Sequence, residues 1–516
     1  MSGPEGYLGA QGRITKGPAP ELVEAGYGLE IADAPLLHRG LALADLAHQV
    51  SLVEAGAVDR AVVAPLLMRL LELLDSDPAE FPYDPAYGDA YNARERELET
   101  SLGPVTGWLH LGRTRREAGR IAFRMALRSM LLDLHADVGG LAIVLAAAEE
   151  EHAESVWADS TYLQPAQPST FGHYLGQFGE QCLRHLERIE AAYRTVDICP
   201  GGSGGSGGSR IRIDRQRLAD LLGFGRVGLN TRDAMWSVDA PIDAVFSAVQ
   251  AVLTVDQIAE DLEIFASPSF DYVELDASLC RASVLMPQKR NPYALAVIRG
   301  GAGILSGRLA GLVTTARTPS ARTDNWLYTY GEVAAALGLA GRLVRLGAAV
   351  VGSLRVNTAV LAVGADANFI GAADLAEDLS LAHRLDYRTA YRIVGRAIAE
   401  AVGAGVDRLT AESLRAAATQ ITGAPLQVSD ALLTSIEDPR ALIQARQAPG
   451  SASPDRVREH ADRLGRGIET ARSWREERRD AVASAETTLL TTVGTLVQGR
   501  ASVASHDQVP VSRRDG

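Results

Sequence analysis

The stretch PIDAVFSAVQAVLTVDQIAEDLEIF, residues 241–265, decides the fold class of this chain. Its apolar residues recur at helical spacing and trace one stripe, which consists of Ile242, Val245, Val249, Val252, Val255, Ala259, Leu262 and Phe265. A single helix over about two dozen residues would be on the order of 35 Å long. Helices of that length usually belong to bundles, so the stretch predicts a long-helix bundle.

The sequence on both sides of this stretch carries further helical patterns. Apolar residues recur at helical spacing from Leu36 and again from Val62, which predicts two antiparallel helices. Residues 116–150 continue the helical pattern, which runs into three glutamates at 149–151; we interpret these as a solvated face rather than a metal site. After Val363 the pattern shortens into three segments separated by polar breaks, which predicts a separate, smaller helical domain.

Glycines are frequent in the apolar segment 297–317. They fall at Gly300, Gly301, Gly303, Gly307 and Gly311. Each glycine costs about 1 kcal/mol in a helix interior, and close packing of helices could offset that cost. The run therefore predicts a helix buried in the centre of the bundle.

Composition bounds the class of protein. The 516 residues are enough for two or three domains, and the net charge of -13 without a basic tract argues against a nucleic-acid partner. Cys182, Cys199 and Cys280 lack metal-like spacing, so neither a disulfide framework nor a metal site is expected. No uninterrupted apolar run reaches about 18 residues, and the start lacks a signal-peptide core. We therefore expect a soluble cytoplasmic protein without a membrane partner.

The segment ASVLMPQKRNP, residues 282–292, places three chemically useful side chains close together. These are the hydroxyl of Ser283, the ammonium of Lys289 and the carboxamide of Asn291. An activated serine could remove a proton, and the ammonium and carboxamide could hold the negative charge that forms on a substrate carboxylate. The segment predicts a site that stabilises a carbanion.

This segment closely resembles the signature of the fumarase, aspartase and argininosuccinate lyase superfamily. That signature has a glycine, two serines and a variable residue before Met-Pro-x-Lys-x-Asn-Pro; here Ala282 replaces the glycine and Val284 the second serine. Gln288 fits the argininosuccinate lyase branch best. The resemblance implies an all-α, three-domain lyase without a cofactor, and a homotetramer whose core is built from the middle domains. It also implies active sites assembled from three subunits.

The resemblance and the helical patterns together give expected domain boundaries. They are a disordered N-terminus at 1–20, an N-terminal helical domain at 21–115, a central long-helix bundle at 116–363, a C-terminal helical domain at 364–501 and a disordered tail at 502–516.

A second segment, WLHLGRTRRE at 108–117, resembles the lyase pattern Leu-His-x-Gly-Arg-Ser-Arg-Asn-Asp. Thr114 takes the place of the serine and Arg115 is retained, whereas Arg116 replaces an asparagine that holds a substrate carboxylate in the family. Arginine offers a carboxylate two parallel hydrogen bonds. All three residues are therefore expected to bind substrate. A surface basic cluster at a helix start is the alternative.

A third segment, TYLQPAQP at 161–168, resembles the family's Thr-His-Leu-Gln-x-Ala-Gln-Pro. Thr161 and Gln164 match and are expected to bind substrate, but Tyr162 replaces a histidine linked to proton delivery toward the leaving group. The glutamate that commonly partners this histidine is replaced by Ala296. Either Tyr162 supplies the proton, or the leaving group departs without needing one.

A fourth segment, PSARTDNWLYTYGE at 319–332, bears on the substrate. Argininosuccinate lyases grip the guanidinium here with glutamine and aspartate, but this chain has Arg322, Leu327 and Thr329 at about those positions. An arginine leaving group would lack its carboxylate partner. We therefore expect Arg322 to face a leaving group other than arginine.

The Gly-rich run CPGGSGGSGGSR at 199–210 contains a formal phosphate-binding pattern. It lacks a convincing strand-turn-helix setting, and the lyase family has its own Gly/Ser-rich loop here, so a flexible loop near the site mouth is favoured.

The leading hypothesis is a carbon-nitrogen lyase that performs anti β-elimination. The substrate would be a succinate that carries an N-substituent or a nitro group, and fumarate would be the product; the reverse addition is equally permitted. Ser283 is the expected base, with Tyr162 and Lys289 as further catalytic residues. Alternatives are a catalytically silent structural homologue, an argininosuccinate lyase proper and a carboxymuconate-type cycloisomerase.

Overall fold

The computed structural model describes residues 16–317 and 329–503, and most of these are α-helical. In chain order the α-helices are α1 (Pro20–Leu22), α2 (Gly28–Ala32), α3 (Ala34–Glu54), α4 (Arg60–Leu74), α5 (Ala90–Leu102), α6 (Arg115–Glu151), α7 (Phe171–Val196), α8 (Arg215–Leu221), α9 (Thr231–Trp236), α10 (Asp239–Phe265), α11 (Tyr293–Ala316), α12 (Tyr330–Gly352), α13 (Thr358–Ala365), α14 (Ala372–His383), α15 (Tyr387–Gly403), α16 (Ala411–Thr422), α17 (Asp430–Glu437), α18 (Pro439–Gln444) and α19 (Pro454–Val503). A π-helical turn covers Val23–Tyr27, and 3-10 turns cover Pro85–Tyr87, Gly103–His110 and Ala277–Leu279.

Short strands pair in twos among these helices. They are β1 (Val156–Thr161), β2 (Gln164–Thr170), β3 (Ile198–Cys199), β4 (Arg226–Val227), β5 (Val273–Glu274), β6 (Arg281–Ala282), β7 (Arg290–Asn291) and β8 (Arg355–Val356). The pairs β1–β2, β5–β8 and β6–β7 are antiparallel, whereas β3–β4 is parallel. Each sheet has only two strands, and helices make up the framework of the fold. The predicted all-α class is therefore confirmed.

A bundle of long helices forms the largest core. Helices α6, α7, α10, α11 and α12 pack against one another and share one cluster of buried apolar residues. The predicted stripe of α10 faces this cluster, and only its first member, Ile242, is half-buried rather than buried. The prediction of a long helix in a bundle is confirmed.

Two smaller cores flank the bundle. The helices predicted from Leu36 and Val62 are α3 and α4, which pack together and against α8 and the end of α19. Helices α14 to α17 form another core around Leu375, Ile393 and Leu414.

The 50-residue helix α19 links these parts. It runs along α6 and α7, where Leu464 and Ile468 join the bundle core, and then along α3 and α4, where Leu489 and Val493 join the N-terminal core. The last helix of the predicted 364–501 domain therefore contacts the first two units. The domain boundaries themselves stay a prediction.

The glycines of α11 are only partly explained by packing within one chain. A Cβ at Gly301 would lie 2.7 Å from Leu343 Cδ1, so this glycine allows α11 and α12 to approach closely. Among the described residues, a Cβ at each of the other four glycines would meet no atom within 4 Å apart from the backbone of its own helix. Val297, Ile304 and Val313 on this helix are also exposed. The prediction of a helix buried in the bundle centre is therefore wrong for the isolated chain.

Four bundle helices combine length with apolar composition. By those two measures α6, α10, α11 and α12 are each long and apolar enough to cross a membrane. The same helices line the largest core, and their apolar residues supply most of its buried side chains.

The three glutamates at the end of α6 are not all solvated. Glu150 and Glu151 are exposed, but Glu149 is buried and its carboxylate lies 2.7 Å from Nδ1 of His460 on α19. Burial raises the pKa of Glu149, and the hydrogen bond with this carboxylate raises the pKa of His460. The prediction of a solvated face is wrong at Glu149, because α19 packs over this end of α6.

Candidate active site

The first turn of α6 carries the predicted substrate-binding residues of the second segment. Thr114 caps the helix: its hydroxyl accepts a hydrogen bond from the backbone N–H of Glu117 at 3.4 Å. The same hydroxyl donates to the carbonyl of Gly204 at 3.2 Å. Arg115 and Arg116 therefore lie side by side in the first helical turn, with Thr114 holding that turn against the Gly/Ser-rich loop.

Glu117 fixes the same loop from the other side. Its buried carboxylate accepts hydrogen bonds from the N–H groups of Gly202 at 2.7 Å and Gly204 at 2.6 Å. Burial raises the pKa of Glu117 to about 7, against the lowering effect of these two bonds and of Arg113. The loop is thus anchored and buried at residues 201–204, where the sequence predicted flexibility. The Thr-x-x-Glu capping pattern at 114–117 was the signal that could have pointed to Glu117.

A pocket opens beside the two arginines. It is lined by Glu30, Asp33, Leu37, Leu41, Asp89, Ala90, Tyr91, Arg115, Arg116, Gly119 and Tyr330. Arg116 lies 3.5 Å from a carboxylate oxygen of Glu30 and 3.3 Å from one of Asp89. Arg115 lies 3.5 Å from Asp89. The arginines therefore belong to a mixed-charge pocket, and the alternative of a surface basic cluster is not favoured.

The acidic residues of this pocket are held away from water. Burial raises the pKa of Glu30, an effect that Arg116 opposes, and burial also raises the pKa of Asp33. The Asp33 carboxylate accepts a hydrogen bond from the backbone N–H of Gly331 at 2.8 Å. Sequence reasoning missed Glu30, Asp33 and Asp89, because no motif connects these positions to the arginines.

The third segment forms the tip of the β1–β2 hairpin. Thr161 pairs with Gln164 across a two-residue turn made by Tyr162 and Leu163, whose φ angles are 56° and 59°. Such a turn matches the twist of the strands but favours Asn and Gly. Thr161, Tyr162 and Gln164 are all exposed, and Tyr162 retains 98% of its accessible surface. This group of predicted residues therefore projects from the chain.

The base of this hairpin is fixed on the C-terminal part of the chain. Val156 and Ala158 of β1 are buried in a small cluster with Ala365, Ile370 and Ile443. The hairpin thus has a buried base and an exposed tip.

The signature segment forms the loop between β6 and β7. Ser283 Oγ accepts a hydrogen bond from the N–H of Met286 at 3.1 Å, and the Asn291 side chain donates to the carbonyl of Arg281 at 3.0 Å. Lys289 is exposed, and Val284 at the loop tip is fully exposed. The base of the loop is held by Arg290, which bonds Glu274 and the carbonyl of Leu275. The loop therefore presents the hydroxyl, ammonium and carboxamide together at the protein surface.

One chain brings the predicted residues together in three groups rather than in one site. Thr114, Arg115 and Arg116 line the pocket or its edge, whereas the hairpin tip and the signature loop each project outward and make local hydrogen bonds. Arg322 lies outside the described residues.

Comparison with known proteins places this arrangement among lyases. A sequence model described as lyase matches residues 46–307. Argininosuccinate lyase of Methanoculleus marisnigri is 28% identical over 445 residues, which cover 86% of this chain and 90% of the relative. Argininosuccinate lyase of Methanosarcina barkeri is 26% identical over 488 residues, which cover 94% of this chain and 98% of the relative.

Solved structures of similar fold also include lyases. A variant of EDDS lyase with bound fumarate superposes with a TM-score of 0.82 at 26% identity and covers 96% of this chain and 99% of its own. The 3-carboxy-cis,cis-muconate lactonizing enzyme of Pseudomonas putida superposes with a TM-score of 0.64 at 20% identity, over 87% of this chain and 98% of its own, which shows a shared fold alone.

Proposed function

This chain belongs to the lyase family and is a carbon-nitrogen lyase of the fumarase/aspartase superfamily, and we propose that it performs anti β-elimination on a substituted succinate. The product is fumarate, and the reverse addition to fumarate is the same reaction run backwards. The substituent that leaves is a nitrogen group other than arginine. The enzyme uses a small dicarboxylate substrate, needs no cofactor or metal, and works as a soluble cytoplasmic protein without nucleic-acid or membrane partners.

The observation that carries this proposal is the composition of the β6–β7 loop. It presents Ser283, Lys289 and Asn291 on one exposed segment, which is the set of groups that proton abstraction beside a carboxylate requires. Ser283 is the proposed base. The N–H of Met286 already donates to Ser283 Oγ, and a donated hydrogen bond favours the charged form of a hydroxyl.

The negative charge that forms is spread over a substrate carboxylate with two charged oxygens. Lys289 and Asn291 face that charge, and each preorganised donor is worth roughly 3 to 4 kcal/mol in such a transition state. Thr161 and Gln164 supply further hydrogen bonds from the hairpin tip. Tyr162 faces the leaving group.

The arginines of α6 bind the substrate's carboxylates. Arg115 and Arg116 lie in a pocket, and a guanidinium can give a carboxylate two parallel hydrogen bonds. Thr114 supports this turn through its bonds to Glu117 and Gly204. A direct contact of Thr114 with substrate, and a role for Arg322 at the leaving group, stay predictions.

The proposed assembly is a homotetramer with shared active sites. Two features support it: the exposed hairpin tip and loop, and the exposed apolar face of α11 with its glycines. Glycines that meet no neighbour within residues 16–317 and 329–503 would allow a helix of another chain to approach closely. The three groups of residues would then meet at the junctions between subunits.

The proposal is tested by following fumarate absorbance. Purified protein is incubated with fumarate and a panel of amines or nitrite, and separately with N-substituted aspartates, nitrosuccinate and argininosuccinate. We expect turnover with at least one partner other than arginine, and its loss in Ser283→Ala. The matched control is Ser278→Ala, which alters an exposed serine just before β6.

Each alternative has its own outcome in this assay. An absence of turnover for every partner indicates a silent structural homologue, and preferred cleavage of argininosuccinate indicates an argininosuccinate lyase. A lactone formed from a carboxymuconate, without fumarate, indicates a cycloisomerase.

A further inference from the structure

The ion pairs that Arg116 makes with Glu30 and Asp89 are loose. Its distances of 3.5 Å to Glu30 and 3.3 Å to Asp89 exceed the roughly 2.7 to 2.9 Å of a well-formed charge-assisted hydrogen bond. The side chains of Glu30 and Asp89 are only 11% and 12% exposed. Glu30 and Asp89 are thus shielded from water but held only loosely by Arg116, and Arg115 and Asp33 complete the charged lining of the pocket.

A substrate carboxylate that binds Arg116 would disturb this balance. It would take the guanidinium from Glu30 and place a second negative charge beside a carboxylate that is poorly solvated. A buried charge that loses its partner is costly. Binding is therefore weakened unless the ligand also brings a positive charge to Glu30.

Building on the lyase function proposed above, we propose that Glu30 is a specificity-determining residue that selects a protonated amine. The substrate enters as a zwitterion: its carboxylate pairs with Arg116, and the ammonium nitrogen on the adjacent carbon pairs with Glu30. Each charge of the existing ion pair then has a new partner. A nitro group offers Glu30 no N–H donor, so nitrosuccinate would leave this carboxylate unpaired.

This binding mode also accounts for the absence of the histidine and glutamate that deliver a proton to the leaving group in the family. Ser283, as the alkoxide, takes the proton from the carbon beside the carboxylate, and the electron pair of that C–H bond becomes the carbon-carbon double bond. The electron pair of the C–N bond passes to the ammonium nitrogen, which leaves as a neutral amine with its own proton. No further proton is needed, in agreement with Tyr162 and Ala296 at the positions of the family's histidine and glutamate.

The first test uses the unmodified enzyme and N-substituted aspartates whose amines differ in basicity. The substrate must carry its proton, so we expect kcat/KM to fall about tenfold per pH unit above the amine's own pKa. The pH at which kcat/KM begins to fall should move by one unit for each unit of difference in pKa between the amines. A fall that begins at the same pH for all substrates, or faster turnover of nitrosuccinate than of the N-substituted aspartates, would overturn the proposal.

The second test uses Glu30→Gln, with Glu24→Gln on the neighbouring exposed turn as the matched control. We expect Glu30→Gln to raise KM for N-substituted aspartates about tenfold, and to leave inhibition by succinate, which has no nitrogen, equal or stronger. A purely structural Glu30 would weaken both, and that result would refute the assignment. Absence of all turnover by the unmodified enzyme would instead refute the lyase function itself.

Discussion

Glu117 Oε1 accepts the backbone N–H of Gly202 at 2.7 Å, and this bond ties the Gly/Ser-rich loop to the turn that carries the two arginines. The second oxygen of Glu117 accepts the N–H of Gly204, whose carbonyl accepts from Thr114. Loop and helix start are therefore held as one unit.

Replacing Glu117 by alanine should destabilise the chain. The change leaves two buried N–H groups without acceptors and opens a cavity, and each unsatisfied donor costs about 1 to 3 kcal/mol. We expect the free energy of unfolding to fall by about 2 to 5 kcal/mol in urea denaturation. Glu150→Ala, an exposed change on the same helix, should stay within about 0.5 kcal/mol. Equal effects of the two substitutions would contradict the anchoring role.

The same residue predicts a pH dependence of stability. Its pKa is raised from 4.5 to about 7 in the folded chain, so the folded state binds more protons than the unfolded state between these values. The stabilisation is complete below pH 4.5 and is lost as the pH rises through 7, by about 3 kcal/mol in total. Urea denaturation from pH 4.5 to 8 should show the stability of the unmodified protein declining relative to Glu117→Gln. Parallel curves would show that Glu117 does not titrate in this range.

The sequence predicted the framework because apolar periodicity reports which face of a helix is buried. The stripe on α10 and the segments that became α3, α4 and α6 needed no tertiary information. The predictions at Glu149 and in α11 were wrong because both depend on partners distant in sequence. Helix α19 covers Glu149, and none of the described residues of this chain packs on four of the α11 glycines.

Those residues of the candidate site that lie in sequence motifs could be predicted from the sequence. Ser283, Lys289 and Asn291 could be named from one segment, and the hydroxyl and arginines of the α6 turn from another. Glu30 and Asp89 could not, because their role comes only from proximity to Arg116 in the folded chain.

Replacing Leu163 by glycine in the turn of the β1–β2 hairpin should stabilise the chain. This residue has a φ of 59°, a left-handed conformation that costs an L-residue roughly 1 to 2 kcal/mol, which the greater entropy of unfolded glycine partly offsets. We expect Leu163→Gly to raise the unfolding free energy by about 0.5 to 1 kcal/mol while Tyr162 is retained. Thermal unfolding measures the change. Leu285→Gly in the exposed signature loop is the control and should give no gain.

Tyr162 and Ser283 should differ sharply in their importance for turnover. If the amine leaves with its own proton, Tyr162→Phe loses no proton donor, and kcat should change by less than about threefold. Ser283→Ala removes the base and should lower kcat by about 10³-fold or more. Steady-state rates with one N-substituted aspartate decide the point. A loss in Tyr162→Phe of the 10² to 10⁴-fold size of general acid catalysis would make this hydroxyl the proton donor.

The exposed face of α11 should be needed for assembly and, through assembly, for activity. Ile304 is 58% exposed on this helix, between glycines that contact no other element in the part of the chain that the structure describes. An aspartate at this position would be solvated in a monomer but desolvated at a helix-helix interface. We therefore expect Ile304→Asp to abolish the tetramer in light scattering and to abolish fumarate formation, with little change in helical circular dichroism. Leu381→Asp, at an 80% exposed position on α14, is the matched control and should retain both properties. A monomeric Ile304→Asp protein with full activity would show that one chain holds a complete site, and the shared-site proposal would then fail.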